Sequence, residues 1–138
     1  SVDGFIRGRH EDTPNDLLNY GYALVRATVA RALVSSGLLP TLGVHHHNKY
    51  NAYCLADDIM EPYRPFVDKL VYQIVEENDL WILDTGMKTR LLTIPMMDVQ
   101  INGVTSPLMI AATTTTASLA KCFNGESRQV LYPVMSCK

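Results

Sequence analysis

The chain has 138 residues, 47% of them hydrophobic, and its 14 acidic and 12 basic side chains give a net charge of −2. That supplies one ordinary core and too little chain for two generous domains, so a single domain over residues 1–138 is expected. The charge balance gives no global sign of a nucleic-acid binder, although a local basic patch needs none.

The three cysteines are odd in number and form no CxxC pair, which argues against a disulfide framework or a thiolate zinc site and fits a reducing cytoplasm. No apolar run approaches the roughly 20 residues of a membrane span. Ser1 to His10 lacks the order of a secretory signal and reads as a lead-in to a chain that begins mid-protein. The expectation is a soluble, cytoplasmic protein without a membrane partner.

Thr13 can cap a helix, Pro14 suits its first position, and Asp16 stands where a capping box has its acid. The spacing predicts a helix from Pro14 to Ser36. Leu18, Tyr22, Val25, Val29 and Leu33 form one stripe and Leu17, Leu24 and Ala27 another, so this helix is expected to be apolar nearly all round and central. Arg26 and Arg31 are its cations, each suited to a carboxylate, a phosphate or simple snorkelling. Gly21 weakens the helix, which suggests close approach of another backbone. Gly37 and Pro40 end it.

From Leu42 to Pro65 the chain reads LGVHHHNKYNAYCLADDIMEPYRP, a stretch that gathers imidazoles and carboxylates. His45, His46 and His47 follow a Leu-Gly turn signal and belong on a loop. A helix is expected over Tyr53 to Glu61, with Asp57, Asp58 and Glu61 off its apolar stripe and Glu61 a helical neighbour of either aspartate. An oxygen-rich site with one imidazole suits Mg2+ or Mn2+ better than zinc. The plainer alternative is that the acids answer the helix dipole and the histidines are solvated.

Pro62 and Pro65 predict a kink or break before helix resumes over Phe66 to Glu77, with Arg64 beside the acids, where a guanidinium can hold carboxylates or meet a phosphate. A short helix is expected from Lys88 to Met97, a β-hairpin around Asn102-Gly103, and a last helix from Pro107 to Asn124 despite the run Thr113 to Thr116. The fold class is therefore mainly α with at most one short β-hairpin. No Gly-rich phosphate loop, GxSxG elbow or internal repeat is present.

The runs LNYGYALVRATVARAL, LGVHHHNKYNAYCLADDIMEPYRPFVDKLV and INGVTSPLMIAATTTTASLAKCFNGESR resemble the helical C-terminal catalytic domain of the CRISPR-associated integrase that captures spacers, the first-numbered Cas protein, in its type II form. The resemblance spans nearly the whole chain. It implies a divalent-metal-dependent DNA endonuclease and integrase of prokaryotic antiviral defence, in which the 3′-hydroxyl of a captured fragment attacks a phosphodiester of the CRISPR repeat. It also implies Mg2+ or Mn2+, a homodimer, and a dimer of the small second-numbered Cas protein as partner.

By the same resemblance His46 and Glu61 are metal ligands; Asp58, one helical turn before Glu61, is expected to support them, and Arg64, Lys49 and Arg26 are expected to hold DNA. The family's first ligand, a glutamate on an upstream helix, and its N-terminal β-sandwich have no counterpart in this chain, which is expected to be nearly inactive by itself. Two other classes stay open: a helical nucleic-acid or protein binding module without catalysis, and a metal-dependent hydrolase of small phosphoesters.

Overall fold

The computed structural model describes residues 14–38, 55–78 and 82–135. The histidine loop with His46 and Lys49, the Thr13 cap and Trp81 lie outside the described residues. Helix α1 spans Asn15–Ser35, α2 spans Arg64–Glu77, α3 spans Thr85–Leu91, strands β1 and β2 span Asp98–Ile101 and Val104–Pro107, and α4 spans Leu108–Phe123. Residues 55–60 are also helical and run into a 3-10 turn at Glu61–Tyr63. The expected class, mainly α with one small hairpin, is the class observed.

Helix α1 packs on α4, α2 and α3. It buries one face, Leu17, Gly21, Val25, Val29 and Leu33, while Leu18, Tyr22 and Leu24 are half-buried and Ala27 is exposed. That corrects the expectation of burial all round: apolar side chains on a helix need not all find partners when neighbours cover one side. Pro14 precedes the helix, and its carbonyl closes the first turn by accepting from Leu18 N at 3.0 Å. It is therefore the flanking residue and Asn15 the first helical one.

Gly21 faces α2, where an added Cβ would stand 2.5 Å from Val67 Cγ1 and 3.3 Å from Ile94 Cδ1. The close neighbour is a side chain, not the backbone that the sequence suggested.

Small residues let α1 and α4 approach: Ala32 on one side, Ala112 and Thr116 on the other, all buried. The threonine run is helical, and its outward hydroxyls are satisfied by carbonyls one turn back, Thr113 Oγ1 donating to Met109 O at 3.1 Å and Thr114 Oγ1 to Ile110 O at 3.3 Å. Thr116 Oγ1 reaches across the interface to Ala32 O at 3.1 Å, so a residue disfavoured in helices becomes an interhelical tie.

The two prolines tighten the chain rather than breaking it. Pro62 and Pro65 sit in the first positions of the 3-10 turn and of α2, where their missing amides cost little. Arg64 N donates to Glu61 O, and α2 starts at Arg64 instead of Phe66.

The Lys88 to Met97 helix is also corrected. Asp84 caps α3 by accepting from Met87 N at 2.9 Å, which starts the helix at Thr85, and a separate 3-10 turn, Ile94–Met96, takes up Pro95. The hairpin turns on Asn102 and Gly103, with φ of 51° and 79°, the left-handed pair its two-residue turn requires. Among the described residues no helix is long and apolar enough to cross a membrane.

The Gly21 contact generates a prediction with two opposed terms. Gly21→Ala gains about 1 kcal/mol of helix propensity, whereas forcing a methyl against Val67 costs about 1–3 kcal/mol. The expected net is a loss of about 1 kcal/mol in urea unfolding, and the same Gly21→Ala change made in a Val67→Ala background should cost nothing or stabilise. A Gly21→Ala variant more stable than the parent would contradict this packing.

Candidate functional site

Asn19, Tyr22 and Arg26 follow one another at three and four residues along α1, and Glu61, Arg64 and Asp68 at three and four residues from the 3-10 turn into α2. Both spacings set one polar strip on one helical face. Between the two elements lies a cleft of about 310 Å3 lined by Asn19, Tyr22, Ala23, Arg26, Met60 and Arg64.

Two ion pairs border it. Arg26 Nε donates to Asp57 Oδ1 at 2.7 Å, and Arg64 Nε lies 3.1 Å from Glu61 Oε2. With side chains 49% and 41% exposed in the first pair and 40% and 59% in the second, each contributes below about 1 kcal/mol to stability. The pairs differ in kind. Arg64 Nε is itself buried and has no aligned hydrogen-bond acceptor among the described residues, so its approach to Glu61 is a charge contact rather than a bond.

What lies under Arg64 is Tyr22, whose ring centroid is 4.7 Å from the guanidinium carbon. The Tyr22 hydroxyl donates to Asp68 Oδ1. Burial first, then this bond and the Asp68 charge, push its phenol up to about 12. Asp68, Tyr22, Arg64 and Glu61 thus form a continuous chain of contacts between α2 and α1.

The Glu61 turn is held from behind by Tyr63, which is fully buried and shares a hydrogen bond with Thr115 Oγ1 of α4 at 2.6 Å. Burial raises the Tyr63 phenol to about 12, against the opposing effect of that bond.

Of the residues singled out in the sequence, Glu61, Arg64 and Arg26 come together around this cleft. Asp58 is exposed, one helical turn before Glu61, while Asp57 pairs with Arg26. His46 and Lys49 lie outside the described residues. Within the described residues no three His, Cys, Asp or Glu side chains gather as a metal-holding group. Glu61 and Asp58 nonetheless offer the hard oxygen donors that suit Mg2+ or Mn2+. Tyr22 and Asp68 were missed as site residues, Tyr22 because it falls on an apolar stripe. The polar spacing of Glu61, Arg64 and Asp68 was the available signal.

The family model described as CRISPR associated protein Cas1 matches residues 6–86. A CRISPR-associated endonuclease Cas1 of Neisseria meningitidis serogroup C (strain 8013) is 44% identical over 79 residues, 56% of this chain and 26% of that protein. CRISPR-associated endonuclease Cas1 1 of Francisella tularensis subsp. novicida (strain U112) is 32% identical over 85 residues, 60% of this chain and 27% of that protein. CRISPR-associated endonuclease Cas1 2 of Pyrobaculum aerophilum is 32% identical over 113 residues, 80% of this chain and 37% of that protein. The matched stretches span well under half of the length of these relatives.

The two perturbed phenols contribute to how stability responds to alkali. Each keeps its proton to about pH 12 in the folded chain, whereas an unfolded tyrosine loses it near the ordinary value of 10.0. Their contribution is therefore complete below pH 10 and is lost as pH rises to about 12. Tyr63→Phe should cost about 1 kcal/mol at pH 7 by removing the bond to Thr115, and should flatten the alkaline decline. Urea unfolding at several pH values between 7 and 12 measures both, and an unchanged alkaline slope in Tyr63→Phe would contradict the assignment.

Proposed function

Because the chain belongs to the CRISPR associated protein Cas1 family, we propose that it is the helical catalytic domain of a CRISPR-associated DNA endonuclease and that the whole protein integrates new spacers. The observation that carries the reading is that the family match, residues 6–86, takes in both walls of the cleft, with Glu61 and two guanidiniums at its border. The endonuclease names of the relatives support the reaction class.

In this reading His46 and Glu61 would hold a divalent cation, Mg2+ or Mn2+, with Asp58 one turn away as support. When bound, such a cation supplies Lewis-acid polarisation of a phosphodiester. Arg64, Arg26 and Lys49 would hold phosphates without reading sequence, since guanidinium and ammonium groups meet the backbone rather than base edges.

The chemistry is transesterification. The 3′-oxygen of the captured fragment, giving up its proton to solvent, forms a new bond to phosphorus as the P–O3′ bond of the attacked strand breaks, and the departing 3′-oxygen takes up a proton to become a free hydroxyl. DNA, as spacer fragment and as repeat, is thus the substrate. A homodimer of the whole protein and a dimer of the small second-numbered Cas protein complete the proposed assembly.

The test is integration of a short duplex into a repeat-bearing plasmid by the full-length protein with Mn2+, with circular dichroism as the check on folding. Loss of an outer-shell partner of a metal typically costs about 10–100-fold. Asp58→Ala should fall in that range, and His46→Ala or Glu61→Ala should cost more than about 100-fold. His45→Ala and His47→Ala should cost less. Near-normal integration by a folded Glu61→Ala variant would sink the site assignment, and turnover of a nucleotide monoester with none on DNA would favour a small-phosphoester hydrolase instead.

A further inference from the structure

Arg64 is the cleft residue whose orientation needs an explanation. Its Nε is buried without an aligned acceptor among the described residues, and the charge contact to the exposed Glu61 is 3.1 Å long. A contact of that kind draws two charges together without fixing the plane of the guanidinium, because Coulomb attraction between half-exposed groups has little directional preference. A planar group on an aromatic face is different: stacking fixes both its height and its tilt.

The face beneath Arg64 belongs to Tyr22, 4.7 Å from the guanidinium carbon to the ring centroid. That ring is held in turn. Tyr22 is half-buried on α1, and its hydroxyl is bonded to Asp68, which stands on α2 one turn beyond Arg64. One helix therefore presents the guanidinium and also braces, through Asp68, the ring on which the guanidinium rests.

We propose that Tyr22, braced by Asp68, is a positioning residue that lays the Arg64 guanidinium beside Glu61 and presents it to a phosphate of the DNA backbone in the cleft. The inference rests on the reading of this cleft as the DNA-facing one. It goes further by assigning a role to two residues that touch neither the proposed cation nor the reacting atoms. Tyr22 and Arg64 both line the cleft, so the ring supports the guanidinium without closing the space a phosphate would enter.

Affinity of the full-length protein for duplex DNA, measured by anisotropy across a range of salt, tests the proposal, with thermal melting of each variant alongside. A phosphate contact contributes about one to the slope of log affinity against log salt. Arg64→Ala and Tyr22→Leu should each lower the slope by about one, and the double variant should lose no more than either, since both remove one contact. Asp68→Ala should lower it in part, and Asp68→Asn, which keeps an acceptor for the Tyr22 hydroxyl, should restore it. A residue with a merely structural role would shift the melting temperature and leave the slope alone.

The proposal is overturned if Tyr22→Leu keeps the parental slope, or if the losses of Tyr22→Leu and Arg64→Ala multiply in the double variant. Should Tyr22→Leu fail to fold, the contrast between Asp68→Ala and Asp68→Asn decides in its place, and equal slopes in those two overturn it. If the parent protein shows no salt-dependent affinity for DNA, the functional reading of the cleft falls, and this inference with it.

Discussion

The side chain of Tyr63 is completely buried, and its hydroxyl meets Thr115 of α4 inside the core. This one residue converts a short, proline-bearing turn into a fixed platform. The 3-10 turn at Glu61–Tyr63 is three residues long and has no side-chain cap. Such a turn has little intrinsic stability, because its hydrogen-bond geometry is poorer than that of an α-helix. Anchoring it by a large aromatic group two residues beyond Glu61 holds the acid at the surface while the backbone is tied to the interior. The partner helix α4 lies beyond the family match of residues 6–86, so the acid-bearing turn is braced by a part of the chain that the match does not include.

Elements whose signals are local were legible. The Asn102-Gly103 turn demands two left-handed residues and has them, and α4 ends before Gly125 at φ 76° as a glycine after a helix should. The start of α3 at Thr85 rather than Lys88 follows from Asp84, a capping signal that the sequence does carry. Other features could not be read. Leu131 N donates to Ser118 Oγ at 2.8 Å and Val134 N to Gln100 O at 2.9 Å, so the chain after α4 is fastened to the helix and to the hairpin. Neither bond leaves a pattern in the sequence, since any backbone amide can make it.

The candidate site divides along the same line. That Glu61 and Arg64 stand together was legible because they belong to a motif of fixed spacing. Tyr22 and Asp68 are 46 residues apart, and Arg26 and Asp57 are 31 apart. The first pairing is created by the docking of α1 against α2 and the second by that of α1 against helical residues 55–60, neither by anything local. Tyr22 shows the difficulty most clearly: its ring completes an apolar stripe by helical spacing, yet the same ring supports a cation at the cleft and its hydroxyl bonds a carboxylate. An amphipathic side chain serves both descriptions, and periodicity detects the apolar one.

The charges bordering the cleft are balanced among the described residues. Arg26 is matched by Asp57 and Arg64 by Glu61, so the two cations at the border add nothing to the net charge of −2. In the proposed reading a phosphate meeting these two guanidiniums competes with the carboxylates already paired to them. Where charge is balanced, placement decides: a guanidinium whose plane is fixed offers its donors in one direction, whereas a free one spends conformational entropy to do so. In that reading the neutral aromatic residue beneath Arg64 sets the direction in which the cleft offers its donors.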